Sequence, residues 1–256
     1  MRSSPGSAAH PVSADRSRRA ATARTVLTVA LTAGSGSLDA LSFLALGNVF
    51  VSVITGNLVL FGIGLGRGKH ELALRVAVAI VSYAVGAAAG AVIAGRAEGG
   101  QPVWPGRVTA ALLVELVLLG GFAGGWELSA ARPAGAVQLA LLAVAAVAMG
   151  LQSAAVHRLA LPGFSSTYLT SALIRAVTEL VLGPRDHVAA KVAALASVVV
   201  GALAGAILVT GAPRFAPTIA IGLLAAVVVT SMILRRGGGL LTAPEPGDTW
   251  PEPGDT

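Results

Sequence analysis

Long apolar runs alternate with short gaps rich in glycine, proline or charge along most of this chain. Each run has the length of a membrane helix, and helices are needed there because unpaired backbone groups cannot be left in hydrocarbon. Glycine and proline in the gaps end helices, since one lacks a side chain and the other lacks an N–H group. The pattern predicts eight helical segments, at residues 25–46, 49–66, 72–95, 107–128, 134–157, 163–182, 187–210 and 215–234.

Two of these segments are unusual because they are short and carry polar side chains. The first lies in GNVFVSVITGNLVLFGIGLG, Gly47 to Gly66, and the second in GFSSTYLTSALIRAVTELVLG, Gly163 to Gly183. At about 1.5 Å per residue, the 18 residues of 49–66 form roughly 27 Å of helix, barely a membrane span. Short segments interrupted by glycine form broken helices at the substrate sites of transporters. We therefore expect two broken helices that together frame a site.

Composition supports an integral membrane protein. Apolar residues make up 55% of the 256 residues and charged residues 12%, and mean hydropathy is +0.79. A soluble domain carries about 25% charged residues. The net charge of +6 comes from basic residues in the gaps between apolar runs. This distribution is typical of cytoplasmic loops and gives no reason to expect a nucleic-acid partner, so the lipid bilayer is the expected partner.

The two ends of the chain are polar. Residues 1–24 are basic and are interpreted as a cytoplasmic tail, and residues 236–256 contain a repeated EPGDT motif typical of disordered, proline-rich tails. Between them lie two regions of similar length, residues 25–128 and 129–235.

These two regions resemble each other. Four residues match at a shift of 114, and four more match at a shift of 115. A phenylalanine, a serine, a threonine and a Gly-x-x-x-Gly motif recur in the same order with one insertion, which indicates a tandem duplication. The matched pairs are Gly36–Gly150, Ala40–Ala154, Phe50–Phe164, Ser52–Ser166, Thr55–Thr170, Leu58–Leu173, Gly86–Gly201 and Gly90–Gly205.

The number of spans decides how such halves are related. Eight spans give two parallel repeats, whereas six spans with both short segments re-entrant give two inverted repeats. Without the five arginines of the N-terminal tail, eight spans place eight basic residues inside and four outside, and six spans place seven and five. The positive-inside rule therefore favours eight spans with both termini cytoplasmic, and six plus two re-entrant segments is the alternative.

Asp39 is the principal candidate for chemistry because it lies deep in the first apolar segment. A lone carboxylate there costs on the order of 3 kcal/mol, so it must face protein or water. It is interpreted either as a proton or cation site or as a carboxyl satisfied by a neighbouring helix. The polar residues expected around a solute site in this half are Asp39, Ser42, Asn48, Ser52, Thr55, Gly56 and Asn57.

The second half lacks the acid, since Gln152 and Ser153 occupy the places of Leu38 and Asp39. Hydroxyl residues open the second short segment, where they can cap a helix or favour a bound anion. Arg175 and Glu179 are four residues apart and are expected to pair as a structural pair or gate. Glu115 is a further membrane carboxyl with no evident partner. The solute-site residues expected in this half are Gln152, Ser153, Ser166, Thr167, Tyr168 and Thr170.

Three Gly-x-x-x-Gly motifs predict faces where helix backbones approach closely, within one chain or between two. They begin at Gly86, Gly120 and Gly201. A homo-oligomer is therefore one interpretation of these faces. No histidine and carboxylate cluster has metal-ligand spacing, no cysteine is present, and P-loop and serine-hydrolase motifs are incomplete. Neither a metal, a cofactor nor an enzymatic activity is expected.

Two stretches, GSLDALSFLALGNVFVSVITGNLVLFGIGL and AMGLQSAAVHRLALPGFSSTYLTSAL, resemble the YoaK family of bacterial inner-membrane proteins, a family of unknown function. The most specific parts are Asp39-Ala40, the Gly47–Asn57 stretch and Met149–Ala154. The resemblance covers residues 25–235 and implies a multi-pass protein of the bacterial inner membrane. It implies no substrate.

The sequence therefore predicts an all-α polytopic membrane bundle that acts as a secondary transporter or permease of a small solute, coupled to protons or ions through Asp39. The alternative is a membrane scaffold or partner subunit without transport activity, in which the polar residues only hold helices together.

Overall fold

The structure, a computed structural model, describes residues 11–95, 104–159, 169–183 and 188–236. Within these ranges the chain is helical and contains no strand, so the all-α class is confirmed. One 3-10 turn, Pro213–Phe215, precedes the last helix. The helices are α1 (Pro11–Ala45), α2 (Ile54–Gly66), α3 (His70–Ala94), α4 (Gly106–Leu128), α5 (Gly135–His157), α6 (Leu169–Leu182), α7 (Val188–Gly211) and α8 (Thr218–Arg236).

Six of the helices are long and apolar enough to cross a membrane: α1 from Arg19 onward, α3, α4, α5, α7, and α8 with its preceding turn. The other two, α2 and α6, have 13 and 14 residues. At 1.5 Å per residue each is about 20 Å long, which is less than the roughly 30 Å of a hydrocarbon core. The short helices occupy only part of the predicted segments 49–66 and 163–182. Residues 49–53 precede α2 as non-helical chain, and residues 163–168 lie outside the described residues.

Helix α1 begins earlier than the polar composition of residues 1–24 predicts. It starts at Pro11, a residue suited to the first helical position, and it continues through a stretch of alanine and arginine without internal glycine or proline until Gly34. Residues 11–24 of the predicted polar tail therefore belong to the first helix, and the cytoplasmic location of the tail stays a prediction. Hydropathy marked where the helix becomes apolar and not where it begins.

Two pairs of parallel helices, α3 with α5 and α1 with α7, pack closely at glycine residues and so join the two halves of the chain. A Cβ atom added to Gly86 or Gly90 of α3 would overlap the carbonyl oxygens of Val147 and Leu151 in α5. In the same way, Gly201 and Gly205 of α7 lie against the carbonyl oxygens of Ala33 and Ser37 in α1. The partners advance together along both chains, so α3 and α5 run parallel, as do α1 and α7.

Other helix pairs run antiparallel. The Gln138 side chain near the start of α5 donates to the Ala45 carbonyl at the end of α1 (3.1 Å), and Gln152 further along α5 donates to Ser35 Oγ earlier in α1 (2.8 Å). Thus α1 and α5 have opposite directions.

Helices α4 and α8 are also antiparallel. The Thr109 and Ser231 hydroxyls are 3.3 Å apart, and Trp126 Nε1 at the other end of α4 donates to the Pro213 carbonyl (2.8 Å) just before α8.

Helix α1 ends and helix α3 begins at the same end of the bundle. Gly47, two residues after α1, lies against the side chain of Arg75 in the second turn of α3. Residues 46–69 therefore return to the end at which α1 finishes. Because α7 is parallel to α1 and α5 is antiparallel to it, α7 likewise starts at the end where α5 finishes.

The glycine motif at Gly120 and Gly124 differs from the other two. An added Cβ at either position would meet no atom within 4 Å, and both residues are exposed. Within the described residues this face of α4 is unpacked, so only the Gly86 and Gly201 motifs join helices within the chain.

We expect Gly86→Ala and Gly201→Ala each to lower the free energy of unfolding by about 1–3 kcal/mol, since a methyl group would displace a facing backbone carbonyl. Thermal unfolding of the purified protein in detergent measures the change. Gly120→Ala is the matched control, and it should be neutral or stabilising by up to about 1 kcal/mol because alanine is the better helix former. Equal losses in all three variants would contradict the described packing.

Candidate functional site

A left-handed turn reverses the chain after α1. Gly47 and Asn48 have φ values of +106° and +61°, conformations that glycine adopts freely and asparagine tolerates. Residues 49–53 then run without helical hydrogen bonds beside the last turns of α1. We refer to residues 47–53 together with α2 as the returning segment.

Asp39 binds the part of the returning segment that lies farthest from the end of α1. Its Oδ1 accepts hydrogen bonds from the backbone N–H groups of Val51 and Ser52, both at 2.8 Å, and its Oδ2 accepts one from the Ser52 hydroxyl. An ionised carboxylate offers about four acceptor sites, so these three donors satisfy most of its capacity. Asp39 is buried. It therefore anchors the non-helical chain to α1.

Two further side chains complete the anchoring. Asn57 in the first turn of α2 accepts a hydrogen bond from the N–H of Phe50 (3.1 Å) and donates one to the carbonyl of the same residue (2.7 Å). The Ser42 hydroxyl donates to the Val49 carbonyl (2.7 Å). Backbone groups that a helix would pair internally are thus paired with buried side chains, as non-helical backbone requires away from water.

The depth of the segment follows from helix geometry. Asp39 precedes the last residue of α1 by six positions, which is about 9 Å along the helix axis. The chain therefore descends beside α1 to the level of Asp39, and α2 begins there with its N-terminus directed into the bundle. The buried carboxylate accepts from two backbone N–H groups that precede this helix, and a negative charge near a helix N-terminus is electrostatically favourable.

The predicted residues of the first half divide into two groups. Asp39, Ser42, Ser52 and Asn57 are buried and form one hydrogen-bonded cluster. Asn48 and Thr55 are exposed, and Gly56 is half-buried beside Phe50 and Val53. The role of any of them as a solute ligand stays a prediction.

The predicted residues of the second half are described only in part. Gln152 donates to Ser35 Oγ of α1, and Ser153 is half-buried. Ser166, Thr167 and Tyr168 lie outside the described residues, and Thr170 is described by its place in α6 alone. Helix α2 packs on α3 and α6 packs on α7. The polar start of the second short segment, residues 163–168, lies outside the described residues, so the expected site between the two segments stays a prediction.

The predicted Arg175–Glu179 pair needs correction. Glu179 of α6 forms its ion pair with Lys191 of α7, whereas Arg175 is exposed and has no ion-pair partner among the described residues. Lys191 is buried between the two helices, where an ammonium group without a counterion would be costly. The four-residue spacing on α6 suggested the local pair, and tertiary packing supplied a different one.

Glu115 is a second polar centre, apart from the anchored segment. It is fully buried near the middle of α4, and neither carboxylate oxygen has a hydrogen-bond partner among the described residues. It faces a small cavity where four helices meet. Two residues from each helix line this cavity: Leu31 and Gly34 of α1, Glu115 and Leu119 of α4, Met149 and Gln152 of α5, and Ala220 and Leu224 of α8.

From the sequence, Glu115 is recognised as a membrane carboxyl without an evident partner, but it is not predicted to be a site residue. The available signal was an isolated acid in the centre of an apolar segment, which by itself marks a functional candidate. What sequence spacing could not supply was the meeting of α1, α4, α5 and α8 around it.

Comparisons with known proteins identify the family of this chain. A family model described as "Protein of unknown function (DUF1275)" matches residues 27–230. The chain belongs to this family.

A relative, the UPF0700 transmembrane protein YoaK of Bacillus subtilis (strain 168), is 32% identical over 161 residues, which cover 63% of this chain and 69% of that protein. The resemblance to the YoaK family is thereby confirmed, and the chain is a multi-pass integral membrane protein. No solved structure matches it.

We expect Asp39→Asn to lower the free energy of unfolding by about 1–3 kcal/mol, because an amide nitrogen would face donors that now share a carboxylate. Thermal unfolding in detergent measures the loss. Glu127→Gln, an exposed position at the end of α4, is the matched control and should change stability by less than about 0.5 kcal/mol. An Asp39→Asn variant as stable as the control would show that the anchor is dispensable.

Proposed function

We propose that this DUF1275 protein is a secondary transporter or permease of a small solute, built from two inverted halves that each contain three spans and one re-entrant helix. The observation that carries the proposal is the returning segment, a non-helical stretch held below the end of α1 by the buried Asp39. In transporters, half-helices of this kind present polar groups and helix ends to substrates and ions inside the membrane.

The helix directions support six spans over eight. If α2 and α6 crossed the membrane, α1 and α5 would be parallel, and so would α4 and α8. Hydrogen bonds from Gln138 and Gln152 to α1 make the first pair antiparallel, and contacts of Thr109 and Trp126 with the α8 region make the second pair antiparallel. The position of Gly47 beside Arg75 agrees with a segment that turns back.

The packing also supports two related halves. Exchanging α1 to α4 with α5 to α8 converts the α1–α7 contact into α5–α3, the α1–α8 contact into α5–α4, and the α2–α3 contact into α6–α7. The glycine contacts obey the same exchange, because Gly36 lies against the Val198 carbonyl as Gly150 lies against that of Tyr83. With three spans in each half, the repeats are inverted.

Basic residues support cytoplasmic termini. Leaving aside Arg175, six spans place twelve lysines and arginines on the side of the termini and five on the other. The positive-inside rule then assigns the termini to the cytoplasmic face of the bacterial inner membrane.

One feature favours a second candidate function, that of a membrane scaffold or partner subunit. The exposed Gly120-x-x-x-Gly124 face of α4 has the form of a helix-association surface and meets nothing in the described residues. Purified protein that binds no solute and is always recovered with one fixed partner, or as a homo-oligomer joined at α4, would favour this candidate.

Single-cysteine labelling tests the topology, and the native chain contains no cysteine to interfere. We expect Lys69→Cys and Arg132→Cys to react with a membrane-impermeant maleimide on the same side as Phe215→Cys. Arg236→Cys should react on the opposite side. Phe215 and Arg236 serve as references because the six-span and the eight-span topologies both place them on opposite sides of the membrane.

In the eight-span alternative, positions 69 and 132 share the side of position 236. Labelling in that pattern would remove the inverted architecture, whichever face of the membrane the termini occupy.

Solute binding is testable by thermal shift of the purified protein against a metabolite collection at two pH values. A ligand at one hundred times its Kd stabilises the folded state by about 2.7 kcal/mol. Uptake of each binder into liposomes that contain the protein then tests transport. We expect Asp39→Asn to abolish uptake while expression is retained, because Asp39 anchors the returning segment. Unchanged uptake in this variant would remove Asp39 from the mechanism.

A further inference from the structure

Glu115 and Asp39 are both buried acids, but their surroundings are opposite. Asp39 accepts three hydrogen bonds, two of them from backbone N–H groups, which suit an ionised carboxylate. Glu115 is 0% exposed, and neither of its oxygens is hydrogen-bonded among the described residues. An ionised carboxylate is very costly in such a place, so a neutral, protonated acid fits the site.

Among the residues that the structure describes, no neighbouring charge offsets a negative Glu115. The cavity wall contributed by α1, α5 and α8 contains no ionisable side chain, and Gln152 of α5 is its one polar group besides Glu115. Helix α3, which also packs on α4, carries its charged residues in its first two turns, at His70, Glu71 and Arg75. The Lys191 ammonium pairs with Glu179 in the α6–α7 region.

The chemistry of the site selects a proton over a metal cation. A sodium, magnesium or calcium ion needs several oxygen ligands, about six or more for magnesium and calcium. Within the described wall of the cavity, one carboxylate and one amide are available among apolar side chains. A proton needs a single carboxylate oxygen.

The location connects the acid to the proposed movement of the halves. Helices α1 and α4 belong to the first half and α5 and α8 to the second, so the cavity lies where the two halves meet. In transporters with inverted repeats, one half usually rocks against the other, and this motion would change the access of water to the junction between them.

We infer that Glu115 is a proton-binding site, protonated while the junction of α1, α4, α5 and α8 is closed and deprotonated when the junction opens to water. The role as coupling site rests on the proposed transport function, whereas the proton binding itself does not. Gln152 stabilises the protonated acid by its polarity, and the apolar walls disfavour the anion.

A membrane-permeant carbodiimide tests the inference without a known solute. The reagent takes the proton of a carboxylic acid, the resulting carboxylate adds to the reagent's central carbon, and rearrangement leaves a stable acylurea on the side chain. Mass spectrometry of the wild-type protein in detergent should locate this adduct at Glu115. Above the titration point, the labelling rate should fall by about tenfold per pH unit as the proton is lost.

Glu115→Gln should lose the adduct, and Glu127→Gln, the same change at an exposed position of the same helix, should retain it. Adduct formation at Asp39 instead of Glu115, or labelling of Glu115 with a rate independent of pH, would overturn the inference. The carbodiimide label reports the proton on Glu115 in a protein without bound solute. If no solute proves to be transported, the carrier proposal fails, but the labelling result still shows that Glu115 binds a proton. Proton-independent uptake by Glu115→Gln at the wild-type rate would overturn the coupling role alone.

Discussion

Hydrocarbon offers no hydrogen-bond partner to a peptide group, and the returning segment is where this chain meets that constraint outside a helix. Residues 49–53 descend beside α1 with backbone groups that no helical neighbour can pair. Asp39 and Ser42 of α1 and Asn57 of α2 supply the missing partners. The polar residues of this half are therefore first of all the means by which a non-helical backbone is held at depth, and any solute would meet a surface that they have already ordered.

The same constraint shapes how the halves are joined. A bundle in lipid gains little from apolar burial between helices and depends on close backbone contact and on polar links. Glycines at 86, 90, 201 and 205 provide that contact between parallel helices of different halves, and the Gln152–Ser35 hydrogen bond links the antiparallel α1 and α5. Each half on its own would expose these glycine faces, so neither is complete without the other. The acid at Glu115 is enclosed only because all four central helices are present.

Much of the helical layout could be predicted from hydropathy and punctuation. Seven of the eight helices begin within a few residues of the predicted segments or inside them, because glycine and proline mark their ends as strongly as the apolar runs mark their bodies. The start of α1 was missed, since a polar stretch of alanine and arginine is helical for reasons that hydropathy does not measure. The burial of Asp39 was also predictable from its place in an apolar run.

Pairings between distant residues were not predictable in the same way. The partner of Glu179 lies twelve residues away in α7, and the contacts that define helix direction join residues about sixty apart or more, such as Ala45 and Gln138. A single sequence carries no spacing rule for such distances. The basic-residue balance that favoured eight spans differed from the balance for six spans by one residue on each side, so it discriminates weakly between the two topologies.

Helix α1 is much longer than the bilayer requires. Its 35 residues extend about 52 Å, against roughly 30 Å of hydrocarbon, so about two to four turns project beyond the apolar layer at the end where α1 begins. Because the same helix packs on α7 and α8, which lie in the second half of the sequence, the projecting turns are continuous with helical backbone that contacts that half.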